Sequence, residues 1–160
     1  MTLAELLQFL HVLAAFLFVA GLIGRDVVLS RVRVSTDLGT MRSLLAISEP
    51  FDRLLVAPGS MAVLVFGILT WWMQDLPFWA EGTRWVTVSL FAYASLIPLV
   101  PLVFLPRDKV FAAALDGAVR VGKVTPTLQV ALNDPVVAAA RWAERGVVAV
   151  VILLMVTKPF

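Results

Sequence analysis

The sequence predicts an all-α protein of the membrane: a single domain over residues 1–160, built as a bundle of four transmembrane helices with short interfacial helices in its cytoplasmic loops. Three observations predict it. Of the 160 residues, 61% are hydrophobic and 15% charged, whereas a soluble domain is about 45–50% apolar and about 25% charged. So little polar surface cannot clothe a soluble globule, and a mean hydropathy of +0.95 says the same. The apolar residues also gather in four long stretches, which at roughly 20 residues per span leave only short connections and no room for a second domain. Finally, the cations are divided unequally between alternate loops.

The first span is expected over residues 3–24. It is too long for the apolar stretch of a signal peptide and has Glu5 near its start, where a signal peptide carries Lys or Arg. The second, over residues 54–72, closes on Trp71 and Trp72, and the next loop adds Trp79 and Trp85, the rings expected at one membrane boundary. The third, over residues 85–105, contains Pro98 and Pro101, so a kink or an early end is expected there. The fourth, over residues 135–157, opens on Asp134-Pro135, an N-cap followed by proline at the first helical position.

Between the first and second spans lie Arg25, Arg31, Arg33, Arg42 and Arg53; between the third and fourth lie Arg107, Lys109, Arg120 and Lys123. The opposite side offers only Arg84 and Lys158. The positive-inside rule therefore places both long loops in the cytoplasm and both termini outside. Within those loops, Asp37 to Ser48 and Asp108 to Val121 are amphipathic and read as short helices at headgroup level.

Several chemistries are excluded. The formal net charge of +2 gives no basic footprint for nucleic acid. Without cysteine there is no disulfide framework, zinc ribbon or thiol nucleophile, and a single histidine excludes multi-histidine metal sites. The run Gly117 to Val124 resembles a phosphate-cradling glycine loop. It lacks the hydroxyl that must follow Lys123, because Val124 stands there, and no strand precedes it.

A few side chains in the apolar runs are candidates for binding. His11, about three turns into the first span, either donates a hydrogen bond to a neighbouring helix or serves as an axial haem-iron ligand or proton carrier. Met61 is a possible second ligand, or packing. Arg141, Glu144 and Arg145 share one face of the fourth helix. From Gly146 to Val156 the helix covers about 16 Å, too little to cross roughly 30 Å of hydrocarbon, so at least Arg145 must lie below the surface. Its partner is Glu144, Asp26, a lipid phosphate or an anionic ligand such as a porphyrin propionate. Ala20 and Gly24, with Gly21 nearby, allow another helix to approach the first one closely, within the bundle or in a dimer.

His11 followed by Ala20-Gly21-Leu22, and Arg141-Trp142-Ala143-Glu144 leading to Lys158-Pro159-Phe160, resemble HemJ-type membrane protoporphyrinogen oxidases. They resemble more closely a bacterial family of four-helix predicted integral membrane proteins of unknown function. Where HemJ-type proteins carry an aromatic-Leu-Pro-Arg run, this chain has Ile23-Gly24-Arg25-Asp26, and it has no lysine near the start of the third span. The nearer resemblance implies a protein of the bacterial inner membrane of unknown function. The sequence shows no paired intramembrane carboxylates, no second histidine and no nucleophile beside a base, so a protein with no catalysed reaction of its own is expected, free or as a small accessory subunit. Its partners are then the lipid bilayer and a second copy or a larger membrane complex. The more distant resemblance implies an oxidoreductase that binds haem b or porphyrin, with His11 as ligand and Arg141 and Arg145 beside the cofactor.

Overall fold

The computed structural model describes residues 2–159, and every regular element among them is helical. The chain divides into two compact units, Met1–Leu76 and Pro77–Phe160. In the first, α1 (Leu3–Val34) opens on a capping box. The Glu5 amide donates to Thr2 Oγ1 at 3.2 Å and the Thr2 amide to Glu5 Oε2 at 2.8 Å, which satisfies amides that a helix start otherwise leaves bare. The helix runs well past Gly24, where the first span was expected to end. Beyond that point Arg25, Val28, Leu29 and Val32 recur on one buried or half-buried face, so amphipathic packing continues the helix after its lipid-compatible stretch is over.

A short link at Ser35–Asp37 reverses the chain. Asp37 then caps α2 (Leu38–Pro50), accepting from the Thr40 amide and hydroxyl, both at 2.7 Å. Those bonds hold the Asp37 carboxyl below its ordinary pKa. α2 returns along α1 and buries Val32 and Met41, each only 1% exposed.

The interfacial helix at 37–48 and the second span at 54–72 were expected as separate pieces. They form one continuous helix, Leu38–Met73. Pro50 stands inside it, and its missing N–H and the clash of its ring with the preceding turn interrupt the ladder without ending it. The residues Phe51–Val56 are π-helical, with the Ala57 amide donating to the Asp52 carbonyl five residues back, after which α3 (Ala57–Met73) resumes. The first unit is therefore an antiparallel helical hairpin: α1 out, α2, the π-turn and α3 back.

In the second unit, α4 (Arg84–Ala94) begins the third apolar run. The expected kink is present and larger than a kink. From Leu96 to Val100 the amides of Leu96, Ile97, Leu99 and Val100 bond three residues back, and Val100–Phe104 is π-helical. Pro98 and Pro101 fall in this stretch and cannot donate, so no straight α-ladder can form across it. α5 (Leu105–Val121) continues from the π-turn and ends at Gly122, whose φ of 72° is the left-handed C-cap that glycine adopts without cost. The Gly117–Val124 run is thus a helix end, not a phosphate loop. α6 (Pro126–Leu132) is short and packs on α5, burying Ala114, Ala118 and Leu128.

α7 (Pro135–Thr157) matches the fourth expected span. Asp134 caps it by accepting from the Val136 and Val137 amides at 2.8 and 3.3 Å. Of the four expected spans, the helices Leu3–Val34 and Leu38–Met73 are long and apolar enough to cross a bilayer. Their outward surfaces suit that role. Phe9, Val12, Phe16 and Ile23 on α1, and Met61, Val65 and Trp72 on α3, are all exposed, a density of apolar surface that water does not tolerate but lipid does.

Candidate functional site

Polar groupings interrupt this apolar frame in both units. In the first unit, α1 and the returning helix meet at close range because glycines face side chains across the gap. A Cβ added at Gly67 would stand 3.0 Å from His11 Cε1 and 3.1 Å from its Nδ1. Gly67 therefore makes room for the imidazole. The half-buried ring places Nδ1 3.0 Å from the Val63 carbonyl. A carbonyl only accepts, so Nδ1 carries the proton and the Nε2 lone pair is the ring's remaining function. This is the hydrogen bond to a neighbouring helix expected for a neutral structural histidine. It is also the orientation in which a backbone carbonyl fixes the tautomer of a ligating imidazole. Met61 lies exposed on α3.

Further along the same hairpin, Arg25 is buried to 7% exposure. Its Nε is 3.5 Å from Asp26 Oδ1 and its NH1 3.3 Å from Asp52 Oδ1. Arg25 was expected in the loop after the first span; the structure buries it within α1. Asp52 reaches it from the π-turn, which lies against α1 at Gly21 and Gly24. The signal available in the sequence was a pair of mirrored dipeptides, Arg25-Asp26 after the first apolar run and Asp52-Arg53 before the second, which antiparallel pairing brings together.

The second unit holds the remaining candidates, Arg141 and Arg145. Both are half-buried on α7, and Glu144 between them is 9% exposed. The Arg145 guanidinium lies over the Trp142 ring, 4.5 Å from its centroid, a cation–π contact that orients the group. Both ends of α7 are tied to the preceding run. At its start, Asp134 accepts a hydrogen bond from Arg107 NH1, and this bond holds the Asp134 carboxyl below its ordinary pKa. At its end, Lys158 Nζ sits 5.4 Å from the centroid of the Trp85 ring. His11 belongs to the first unit and the two arginines to the second. Phe160, the last residue of the closing motif, lies outside the described residues.

Helices of membrane-spanning length with apolar outer surfaces, interrupted by a few buried charges, define a helical integral membrane protein. The chain belongs to the family described as predicted integral membrane protein (DUF2269), whose model matches residues 5–159. No curated protein and no solved structure matches it.

Proposed function

We propose that the chain is a four-span protein of the bacterial inner membrane that catalyses no reaction of its own and acts free or as a small accessory subunit of a larger membrane complex. One observation carries the four-span reading beyond the two long helices: the second unit is pinned at both ends. Arg107 holds Asp134 at one end and Trp85 holds Lys158 at the other. Along α7 those ends are about 36 Å apart, and along the facing run about 33 Å if it were wholly helical. Each length crosses roughly 30 Å of hydrocarbon. A tryptophan and a lysine fall at one boundary and an arginine at the other, which are the residue types that anchor membrane helices.

With nine of the thirteen lysines and arginines lying between the first and second or the third and fourth apolar stretches, the positive-inside rule sets those ends of the helices in the cytoplasm and both termini outside. There α2 carries the second long helix on beyond the hydrocarbon, and α5 is an amphipathic helix at headgroup level. Reporter fusions test this. A reporter joined after Phe160 should be active only outside, and one inserted near Lys123 only in the cytoplasm. A cytoplasmic signal from the fusion after Phe160 overturns the orientation.

A second reading is supported by the His11 tautomer: binding of haem b with Nε2 as axial ligand, which would supply one-electron redox chemistry. The single imidazole contributes little packing energy, so His11→Ala should fold and lose any pigment that the wild-type protein takes up from supplied haem. A wild-type protein that stays colourless with haem present removes this reading.

A further inference from the structure

The two pins at the ends of the second unit fix the depth of the charged face of α7. Measured from Asp134, Arg141 stands about 10 Å along the axis and Arg145 about 16 Å, with Lys158 about 20 Å beyond Arg145. Glu144 and Arg145 are therefore near the middle of the span, the most expensive place for a charge and one where ionisable residues mark ligand or ion pathways.

The same pins set the register of the facing run. Arg107 is level with Asp134 and Trp85 with Lys158, so in an antiparallel pair the residues level with Arg145 are Ile97 and Pro98, and the residue level with Arg141 is Pro101. This is where the third run is not α-helical. Its amides bond three residues back, Ile97 to Ala94 at 3.1 Å and Val100 to Ile97 at 3.3 Å, and then the Leu105 amide reaches five residues back to Val100. α7 packs on both α4 and the π-turn, so it covers the break from one side to the other. Two arginines, a buried carboxyl and an irregular backbone thus share one level of the membrane. Discontinuous helices at the midplane are how membrane proteins present polar groups to a bound solute.

We propose that this level is a binding site for one oxyanion, a carboxylate or phosphate group, held by the guanidinium groups of Arg141 and Arg145. The proposal rests on the four-span reading, from which the depth follows. The Arg145 guanidinium lies over the Trp142 ring, and a guanidinium presents its N–H groups in one plane, where a planar carboxylate or a phosphate engages two at once. One turn apart on the same helix face, Arg141 and Arg145 can share a single anion. Glu144 belongs to the same wall and is buried. An anion placed beside the two arginines is attracted in a medium where Coulomb interactions are far stronger than in water. Glu144 opposes the anion and so limits its affinity, which allows the anion to leave as well as enter.

The test uses the full chain in phosphatidylcholine nanodiscs, with thermal unfolding followed against increasing decanoate, decyl phosphate or inorganic phosphate, and decanol as the uncharged control. The anions should raise the unfolding midpoint saturably and decanol should not. Decyl phosphate acting where inorganic phosphate does not assigns an amphiphile delivered through the lipid; the reverse assigns a solute from water. Arg145→Gln should weaken the effective anion by about tenfold or more. Glu144→Gln, which keeps both arginines, should tighten it, and this sign survives even where Arg145→Gln fails to fold. Equal effects of decanoate and decanol, no response to any of the anions, or weaker binding in Glu144→Gln would overturn the site. Fusions placing residues 134 and 158 on the same side of the membrane would overturn the four-span reading itself; residues on opposite sides with no anion response would sink only the site.

Discussion

Gly21→Ala is expected to destabilise the first helical hairpin by about 2 kcal/mol, and Gly24→Ala by clearly less. A Cβ at Gly21 would stand 2.7 Å from Leu55 Cβ and 3.2 Å from the Val56 backbone nitrogen. Both atoms are fixed to the returning helix, so the only relief is to move one helix away from the other, which loosens every contact along the crossing. At Gly24 the encroachment is nominally worse, since a Cβ there would overlap Phe51 Cε1. The obstacle is the far edge of an aromatic ring, which can swing aside by rotating about its χ angles. Gly24→Leu is a different matter, because its branched side chain fills the space into which the ring would move. It should cost more than Leu22→Ala, although Leu22 is itself buried. Reversible unfolding in mixed detergent micelles measures all four variants. Equal stabilities for Gly21→Ala and wild type would show that the hairpin does not cross as closely as the glycine geometry requires.

Arg25→Met is expected to cost about 3 kcal/mol, because it leaves Asp26 and Asp52 without the cation between them. Asp26→Asn and Asp52→Asn, taken singly, should each cost less, since Arg25 keeps one carboxylate in either variant. Adding Asp26→Asn to Arg25→Met should recover part of the loss. Removing a buried charge together with its partner is milder than stranding one of them. The same unfolding assay reads the comparison. If combining Arg25→Met with both Asp26→Asn and Asp52→Asn gives a protein no more stable than Arg25→Met alone, the arginine acts through packing of its long stem and not through charge.

The helical class, the N-cap at Asp134 and the extent of the fourth helix were legible because each depends on neighbours in the sequence. Asp134-Pro135 specifies a helix start whatever surrounds it, and 61% apolar composition requires a nonaqueous environment for any arrangement of helices. Boundaries that depend on the partner helix were not legible. Nothing local distinguishes a proline that ends a helix from one that shifts its hydrogen bonds by one residue. Pro50 does the second, because α1 packs alongside on both sides of it and keeps the two halves in line. In the same way, α1 continues to Val34 because α2 covers its far end.

The candidate side chains divide along the same line. Their chemistry was written in the sequence: one imidazole, and two arginines and a carboxyl on one helical face. Their surroundings were not. That Gly67 opens a space for His11 and Val63 selects its tautomer depends on a pairing of residues more than fifty positions apart, and Arg25, expected in a loop, is buried where a π-turn brings Asp52 to it. Composition and periodicity are sums over neighbours and fix what a segment is. Which charge is buried, and what it touches, is decided by the register between two helices, and that register is set by the fit of small residues against large ones across the gap.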